Sequence, residues 1–172
     1  MVGDALVVSF GHGPADASGT LGEMEHPKDI GDKTTLAIML ALRQKGLAVL
    51  VPFGENTGYD LVIDDGCALR RVQCKTGRLR GGAVTWNMCS HYSHHANPRQ
   101  VRRDYAGEVD EFAVYCPETG GVYLIPMTDL PIRVRGALRV DPPKNNQRKF
   151  IRYAAQYEIG RMDIHAPDLN PN

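Results

Sequence analysis

The sequence predicts a single α/β domain, and three observations support that fold class. The chain has 172 residues, a length typical of one domain and sufficient to bury a sizeable core. One long segment repeats its apolar side chains with the period of a helix, and several shorter apolar segments bounded by turn residues are typical of strands. A core built from both kinds of element has an α/β architecture.

The first helix is predicted over residues 32–45. Four side chains there recur at helical spacing, namely Leu36, Met39, Leu40 and Arg43. Asp29 or Asp32 can cap the first turn, and Gly46 suits the C-terminal end. Because residues 36–42 are mostly apolar, we expect this helix to pack against a sheet.

Strands are predicted at residues 48–53, 59–63, 69–75, 83–88 and 138–140, with a further hairpin at residues 111–115 and 122–126. Residues 91–107 are polar and contain a proline, which predicts a long surface loop. A final helix is predicted over residues 146–157. Its packed face would consist of Phe150, Tyr153, Ala154 and Tyr157.

Charge is arranged in blocks along a chain whose formal net charge is zero. Residues 70–103 contain eight Lys or Arg and no acid, residues 104–130 contain acids and no Lys or Arg, and residues 133–161 are again mainly basic. Separated blocks of this kind predict a basic face, the electrostatic footprint of phosphate binding. The alternative is a solvated surface on which the blocks intermix.

The four cysteines show no CxxC spacing, and neither a secretory signal nor a membrane-length apolar run is found in the sequence. Unpaired thiols are typical of a reducing compartment, so we expect a cytoplasmic protein. Residues 89–95 (CSHYSHH) offer zinc-type ligands. Their spacing matches no structural zinc pattern, and a polar loop is the favoured interpretation.

The strongest chemical signal is Asp60 followed thirteen residues later by Gln73 and, after one residue, by Lys75. A two-residue turn at 65–66 or 66–67 would make residues 59–75 a β-hairpin. Since strand side chains alternate between faces, either turn places Asp60 on the same face as Gln73 and Lys75. A carboxylate, an amide and an ammonium gathered on one surface predict a seat for a divalent cation and a phosphate.

Each residue type suits that chemistry. Mg²⁺ takes oxygen ligands, so Asp60, the Gln73 amide oxygen and the Cys74 backbone carbonyl are the predicted metal ligands. Lys75 is expected to orient the attacking water or to stabilise developing charge on the phosphate. The alternative is two charged residues that stand near strand ends without a joint role.

At these positions the chain resembles the PD-(D/E)XK nuclease superfamily, in the branch of group I intron homing endonucleases. The matching segments are 52–55 (PFGE), 58–66 (GYDLVIDDG), 71–80 (RVQCKTGRLR), 110–119 (DEFAVYCPET), 122–126 (VYLIP) and 142–147 (PPKNNQ). The resemblance implies a restriction-endonuclease-like core, with a mixed central β-sheet flanked by helices. It also implies that Asp60, Gln73 and Lys75 are the catalytic set, and that Mg²⁺ or Mn²⁺ is the cofactor.

The superfamily usually has a Glu on its first helix, and this chain has Thr35 at that position. Asp32 lies about one turn earlier on the same helix face, so one alternative is that Asp32 substitutes for the Glu. The other is that Asp60 is the one formal anion of the site, since Gln73 is uncharged.

The predicted function is metal-dependent endonucleolytic hydrolysis of double-stranded DNA, with Arg78, Arg80 and Lys144 as DNA contacts. One alternative is a nuclease fold that binds DNA without cutting it, and another is a structure-selective nuclease resembling Holliday-junction resolvases. The homing-type resemblance further implies an oligomer.

The predicted domain covers residues 27–160, between flexible tails at residues 1–26 and 161–172. Met24 is a second possible start of the protein, because the resemblance begins just after it.

Overall fold

The structure is a computed structural model that describes residues 26–54, 57–92, 101–103, 105, 107–130, 134–142 and 150–161. Within them one α-helix, α1 (Pro27–Gln44), is accompanied by eleven strands. In chain order the strands are β1 (Ala48–Leu50), β2 (Leu61–Asp64), β3 (Leu69–Thr76), β4 (Arg78–Arg80), β5 (Ala83–Asn87), β6 (Ser90–Tyr92), β7 (Val101–Arg103), β8 (Glu111–Cys116), β9 (Gly121–Pro126), β10 (Arg135–Arg139) and β11 (Glu158–Arg161).

Six of the strands form the central sheet, in the order β1-β2-β3-β8-β9-β11. Within this sheet β3 and β8 run parallel, and the other neighbouring strands are antiparallel. A parallel pair needs a long crossover connection, which here is the chain between Thr76 and Glu111. The predicted α/β class with a mixed central sheet is confirmed.

Helix α1 covers one face of this sheet but starts and packs differently from the prediction. It begins five residues earlier, at Pro27, and the His26 side chain rather than Asp29 or Asp32 accepts the capping hydrogen bond, from the Lys28 N–H. Its buried residues are Thr34, Ala37, Ile38, Ala41 and Leu42. Leu36 is 65% exposed and Leu40 is 51% exposed, so the predicted stripe was wrong by about one residue of helical rotation.

The opposite face of the central sheet is covered by a second sheet of three antiparallel strands, β10-β5-β4. Its inward residues, including Val84, Trp86 and Leu138, pack with Phe112 and Val114 of the central sheet. The molecule is therefore layered as helix, central sheet and small sheet. No helix in the described part of the chain is both long and apolar enough to cross a membrane.

Gly77 is the bend at which the chain leaves β3 and enters β4. Its N–H donates to the Tyr115 carbonyl at 2.7 Å, which holds the bend against the central sheet. A Cβ at this position would lie 2.7 Å from Val84 Cγ1 and 2.9 Å from Val114 Cγ1. Glycine is required here because the two sheets approach each other closely across the bend.

Two further predictions were wrong. Residues 91–107 are not only a loop, since β6 and β7 pair antiparallel there and Tyr105 is buried in the core. Residues 150–157 are not an α-helix: Phe150 is 94% exposed with φ of 61°, and Tyr153 forms a parallel bridge with Arg139. Only the short 3-10 turn Ala154–Gln156 is helical, and residues 146–149 lie outside the described residues.

The close approach at Gly77 gives a stability prediction. Gly77→Ala is expected to lower the free energy of unfolding by about 1–3 kcal/mol, because an inserted methyl group overpacks the core. Gly31→Ala is the matched control: no atom lies within 4 Å of the position that its methyl group would take, and alanine is favoured over glycine inside α1 by about 0.5–1 kcal/mol. Urea denaturation measures both, and a Gly77→Ala protein as stable as wild type would contradict the prediction.

Candidate active site

The β2–β3 hairpin positions the predicted site. Leu61 pairs with Val72 and Asp64 with Leu69, so four residues, 65–68, form the connection. The Asp64 and Asp65 side chains close it by accepting hydrogen bonds from the N–H groups of Gly66, Cys67 and Ala68. The register is the one expected for a turn at 66–67, although the loop is wider than the predicted two residues.

Asp60 stands just before β2, next to Leu61, the first residue of β2 that pairs with β3. Its backbone N–H donates to the Val72 carbonyl at 2.9 Å. Its Oδ2 accepts hydrogen bonds from the Cys74 N–H, at 2.7 Å, and from the Gln73 side-chain amide. The predicted neighbours Asp60 and Gln73 are thus in direct contact.

Lys75 follows on the same face of β3 as Gln73. Its ammonium donates to the Tyr105 hydroxyl at 2.9 Å and lies 4.9 Å from the centroid of that ring. Tyr105 is itself fixed by burial, with 4% of its surface exposed, and by an edge-to-face contact with Phe112. The site therefore includes a tyrosine that holds the lysine in place.

Sequence reasoning missed Tyr105 because it lies in the polar stretch predicted as a surface loop. The one available signal was an aromatic residue followed, after Ala106 and Gly107, by the strand-like segment that starts near residue 111. That signal is too weak to distinguish a buried tyrosine from an exposed one.

Burial dominates the electrostatics of the site. Desolvation raises the pKa of Asp60, and the Cys74 N–H and the Lys75 ammonium oppose that rise. Burial and the nearby Asp60 also raise the pKa of the Cys74 thiol, which keeps it neutral. The Cys74 side chain packs in the cluster that contains the α1 residues, so toward Asp60 this residue offers its backbone.

The donors present fit a hard divalent cation. Strand β3 pairs with β2 only as far as Val72, so after Val72 the same backbone edge of β3 has no strand partner. The Cys74 carbonyl and the Asp60 carboxylate both lie at this open edge. With the Gln73 amide oxygen this makes an all-oxygen donor set, the kind that Mg²⁺ prefers. Among the described residues there is no group of three or more His, Cys, Asp or Glu that could hold a metal ion, and the alternative zinc segment extends beyond them.

Thr35 of α1 lies on the other side of β3 from Gln73. Its hydroxyl donates to the Gly31 carbonyl at 3.1 Å and also interacts with the Cys74 thiol. Asp32 is exposed on the same helix. Position 35 thus places a hydroxyl group, and not a carboxylate, next to Cys74 of β3.

Two ion pairs brace the strands around the site. Arg71 contacts both carboxylate oxygens of Asp110, at 2.8 and 3.0 Å, and this lowers the pKa of Asp110. Glu111 is 5% exposed and accepts from Arg70 at 2.8 Å. Asp110 thus ties the start of β8 to β3.

The predicted DNA contacts are distributed over two regions. Arg78 and Arg80 lie on β4, which follows Lys75 through the Gly77 bend. Both side chains are on the face of β4 that points away from the core. Lys144 lies outside the described residues.

Comparison with known proteins agrees with this geometry. Residues 25–160 match the family described as PD-(D/E)XK endonuclease, which is more than half of the chain. The fold is similar to that of a bacterial homing endonuclease, I-Ssp6803I, with a TM-score of 0.62 and 24% sequence identity over 78% of this chain and 89% of that one. No curated protein matches the sequence. Because the match spans more than half of the sequence, the chain belongs to the PD-(D/E)XK endonuclease family.

Proposed function

We propose that this endonuclease is metal-dependent and hydrolyses phosphodiester bonds in double-stranded DNA. One observation carries the proposal. Gln73 and Lys75 lie on one face of β3, and Asp60, which directly precedes β2, contacts Gln73 there. The structural neighbour is described as a homing endonuclease, and we extend that class of activity to this chain. Oligomeric assembly and a cytoplasmic location stay predictions from the sequence.

Asp60, the Gln73 amide oxygen and the Cys74 carbonyl would hold Mg²⁺ or Mn²⁺. When bound, such an ion lowers the pKa of a coordinated water and stabilises charge on the transferring phosphate. Because Gln73 donates its amide N–H to Asp60 in the present arrangement, its side chain must rotate about the terminal bond to offer oxygen instead.

Lys75 supplies the positive charge that the reaction needs beside the scissile phosphate. Its contact with the Tyr105 hydroxyl uses one of three N–H donors and leaves two for water or phosphate. A lysine fixed in advance stabilises developing negative charge without reorganising during the reaction. Arg78 and Arg80, three and five residues further along the chain, would hold phosphates next to that site.

A second candidate function is DNA binding without cleavage. It is favoured by the presence of Thr35 and Gln73 at two positions where a carboxylate would strengthen metal binding. Asp60 is then the single charged ligand, and Mg²⁺ is usually held by one or two carboxylates together with substrate phosphates. The two candidates differ in one measurable property, cleavage in the presence of metal.

Nicking of supercoiled plasmid tests the first candidate. Wild type is expected to nick with Mg²⁺ or Mn²⁺ and not with EDTA, and Lys75→Ala is expected to lower the rate at least ~100-fold, as loss of a transition-state charge contact does. Lys45→Ala, an exposed lysine beyond α1, is the matched control and should cut like wild type. Equal rates for the Lys75 and Lys45 variants would refute the assignment of Lys75.

Asp60→Asn should separate activity from stability. Burial puts the folded-state pKa of Asp60 above its unfolded value, so the ionised carboxylate opposes folding at any pH above the folded pKa. Asparagine cannot ionise, and its side-chain oxygen can still accept from Cys74 and Gln73. We expect a higher Tm at pH 7, together with loss of nicking.

The gain in Tm should be full above the raised pKa and vanish as the pH falls through it, toward the ordinary aspartate value of about 3.9. Thermal melts of wild type and Asp60→Asn in EDTA, from pH 3.5 to 8, measure the difference in Tm. This difference should change with pH as the titration of roughly one group. A Tm that falls at pH 7 would show that the charge of Asp60 stabilises the fold instead.

Thr35→Glu tests whether the missing helix carboxylate limits the site. An added anion beside β3 is expected to lower the Mg²⁺ concentration for half-maximal nicking by roughly 10-fold, about 1.4 kcal/mol. Thr35→Gln has the same length without the charge and serves as control. If wild type binds DNA without cutting and only Thr35→Glu cuts, the second candidate is correct. Identical behaviour of the Glu and Gln variants would show that position 35 contributes no ligand.

A further inference from the structure

The outer face of the β4-β5-β10 sheet is a surface that the reaction chemistry does not use. The strand registers pair Arg78 with Thr85 and Asn87 with Arg135, and these side chains alternate with those that enter the core. The outward residues are Arg78, Arg80, Ala83, Thr85, Asn87, Arg135, Ala137 and Arg139. Arginines therefore line both outer strands, and small or polar residues fill the middle.

This face is positively charged throughout. The three strands contain four arginines and no Asp or Glu. Arg139 is committed to the fold, since it donates to the carbonyls of Gly81 and Asp141 at 2.9 Å and so fastens the β4–β5 turn to β10. For the part of the chain that the structure describes, no carboxylate forms an ion pair with Arg78, Arg80 or Arg135.

The dimensions of the face match a groove of duplex DNA. Neighbouring strands lie about 4.8 Å apart, and Arg135 on β10 is two residues along its strand from Ala137, which stands across β5 from Arg78. Arg78 and Arg135 therefore stand roughly 12 Å apart. The major groove of B-DNA is about 12 Å wide and accepts strands as well as helices. A hollow of about 140 Å³ lies on this face, between the arginines of the two outer strands and beside Thr85 and Asn87.

The side-chain chemistry favours contacts to bases as well as to phosphates. Arginine donates two hydrogen bonds to the O6 and N7 atoms of guanine. Asparagine donates one hydrogen bond to N7 of adenine and accepts one from the N6 amino group. Asn87 and Arg135 are both exposed and stand directly opposite each other on adjacent strands. RNA is a poorer fit, because the major groove of an A-form helix is deep and narrow.

The face is also joined to the active site by the chain itself. Arg78 follows Lys75 by three residues, and the Gly77 bend between them is fixed by contacts to both sheets. A duplex seated on the face would meet Arg78 and Arg80 on β4, the strand that continues from β3, and Arg135 on β10, the strand at the other edge.

From these observations we propose that the outer face of β4, β5 and β10 binds the major groove of duplex DNA, with Arg78 and Arg80 on phosphates and with Arg135 and Asn87 on base edges. The proposal deepens the proposed nuclease function and rests on it for the identity of the ligand.

Binding without cleavage tests the surface. Fluorescence anisotropy with a mixed-sequence 40-base-pair duplex in EDTA compares wild type, the triple variant Arg78→Gln/Arg80→Gln/Arg135→Gln, and the charge-matched control Arg43→Gln/Lys45→Gln/Arg161→Gln. The first triple variant should bind roughly 10- to 100-fold more weakly, with a salt slope shallower by about 2 units, one for each phosphate contact. The control triple should stay within a few-fold of wild type. Arg135→Gln alone, at an exposed position, carries the test if the triple variant is unstable.

Base reading is tested by selecting bound duplexes from a randomised library. Asn87→Ala and Arg135→Ala are each expected to relax preference at one or two positions, and Asn87→Ala should leave the salt slope unchanged. An unchanged selected sequence for both variants would overturn the assignment of base contacts. Tighter binding to an RNA duplex of the same sequence would overturn the choice of DNA.

The outcomes separate this proposal from the nuclease function. If wild type nicks plasmid and the sheet triple variant binds DNA as wild type does, the surface is refuted and the nuclease stands. If both triple variants weaken binding equally, the loss of affinity comes from the lower net charge of the protein and not from this surface, and the proposal is again refuted. If the sheet variant alone loses binding and wild type never cuts, the surface is supported and the endonuclease activity is refuted.

Discussion

Strand β3 continues for four residues beyond its pairing with β2, and the Asp60 carboxylate occupies the edge that is left open. A buried backbone N–H requires an acceptor, and Asp60 Oδ2 provides one for Cys74. Had β2 continued in register, a backbone carbonyl would stand at that place. The same break leaves the Cys74 carbonyl available and brings Asp60 against Gln73. On its other side β3 pairs with β8 as far as Thr76, which keeps the open strand straight.

The second constraint is the stacking of two sheets on the catalytic face. Gln73 and Lys75 point toward the layer that contains the small sheet, so the site lies at the margin of a packed core. Burial there raises the pKa of Asp60, and it also fixes Tyr105 in position to accept from Lys75. Burial thus has two effects at this site: it raises the pKa of Asp60, and it positions Lys75 through Tyr105.

Local patterns were sufficient to predict the parts of this fold in which sequence neighbours interact. The hairpin that joins Asp60 to Gln73 and the β8–β9 hairpin depend on alternation and turn chemistry over fewer than twenty residues, and both were identified. The second sheet was not, because β10 pairs with β5 across about fifty residues of chain, and no local pattern encodes that partnership.

The wrong helix at residues 150–157 has a related cause. Its aromatic spacing imitates a helix face, but Tyr153 bridges to Arg139 and the Arg152 carbonyl accepts from the Arg139 N–H. Tertiary hydrogen bonds outweighed the periodicity. In α1 the period was right and the buried side was not: the face against the sheet combines the small Ala37 and Ala41 with the large Ile38 and Leu42, and the predicted Leu36 and Leu40 are exposed.

The alternation of inward and outward residues in the small sheet has an evolutionary consequence. Val84, Trp86 and Leu138 complete the core from the inner face, whereas their outward neighbours do not belong to it. Strand β3 has no such division, because buried residues pack against both of its faces. Mutational drift is therefore tolerated unequally: substitutions in β3 disturb packing on one side or the other, while substitutions at the outer positions of β4, β5 and β10 leave the core intact. A lineage built on this scaffold can change the outer surface of its small sheet while its core stays the same.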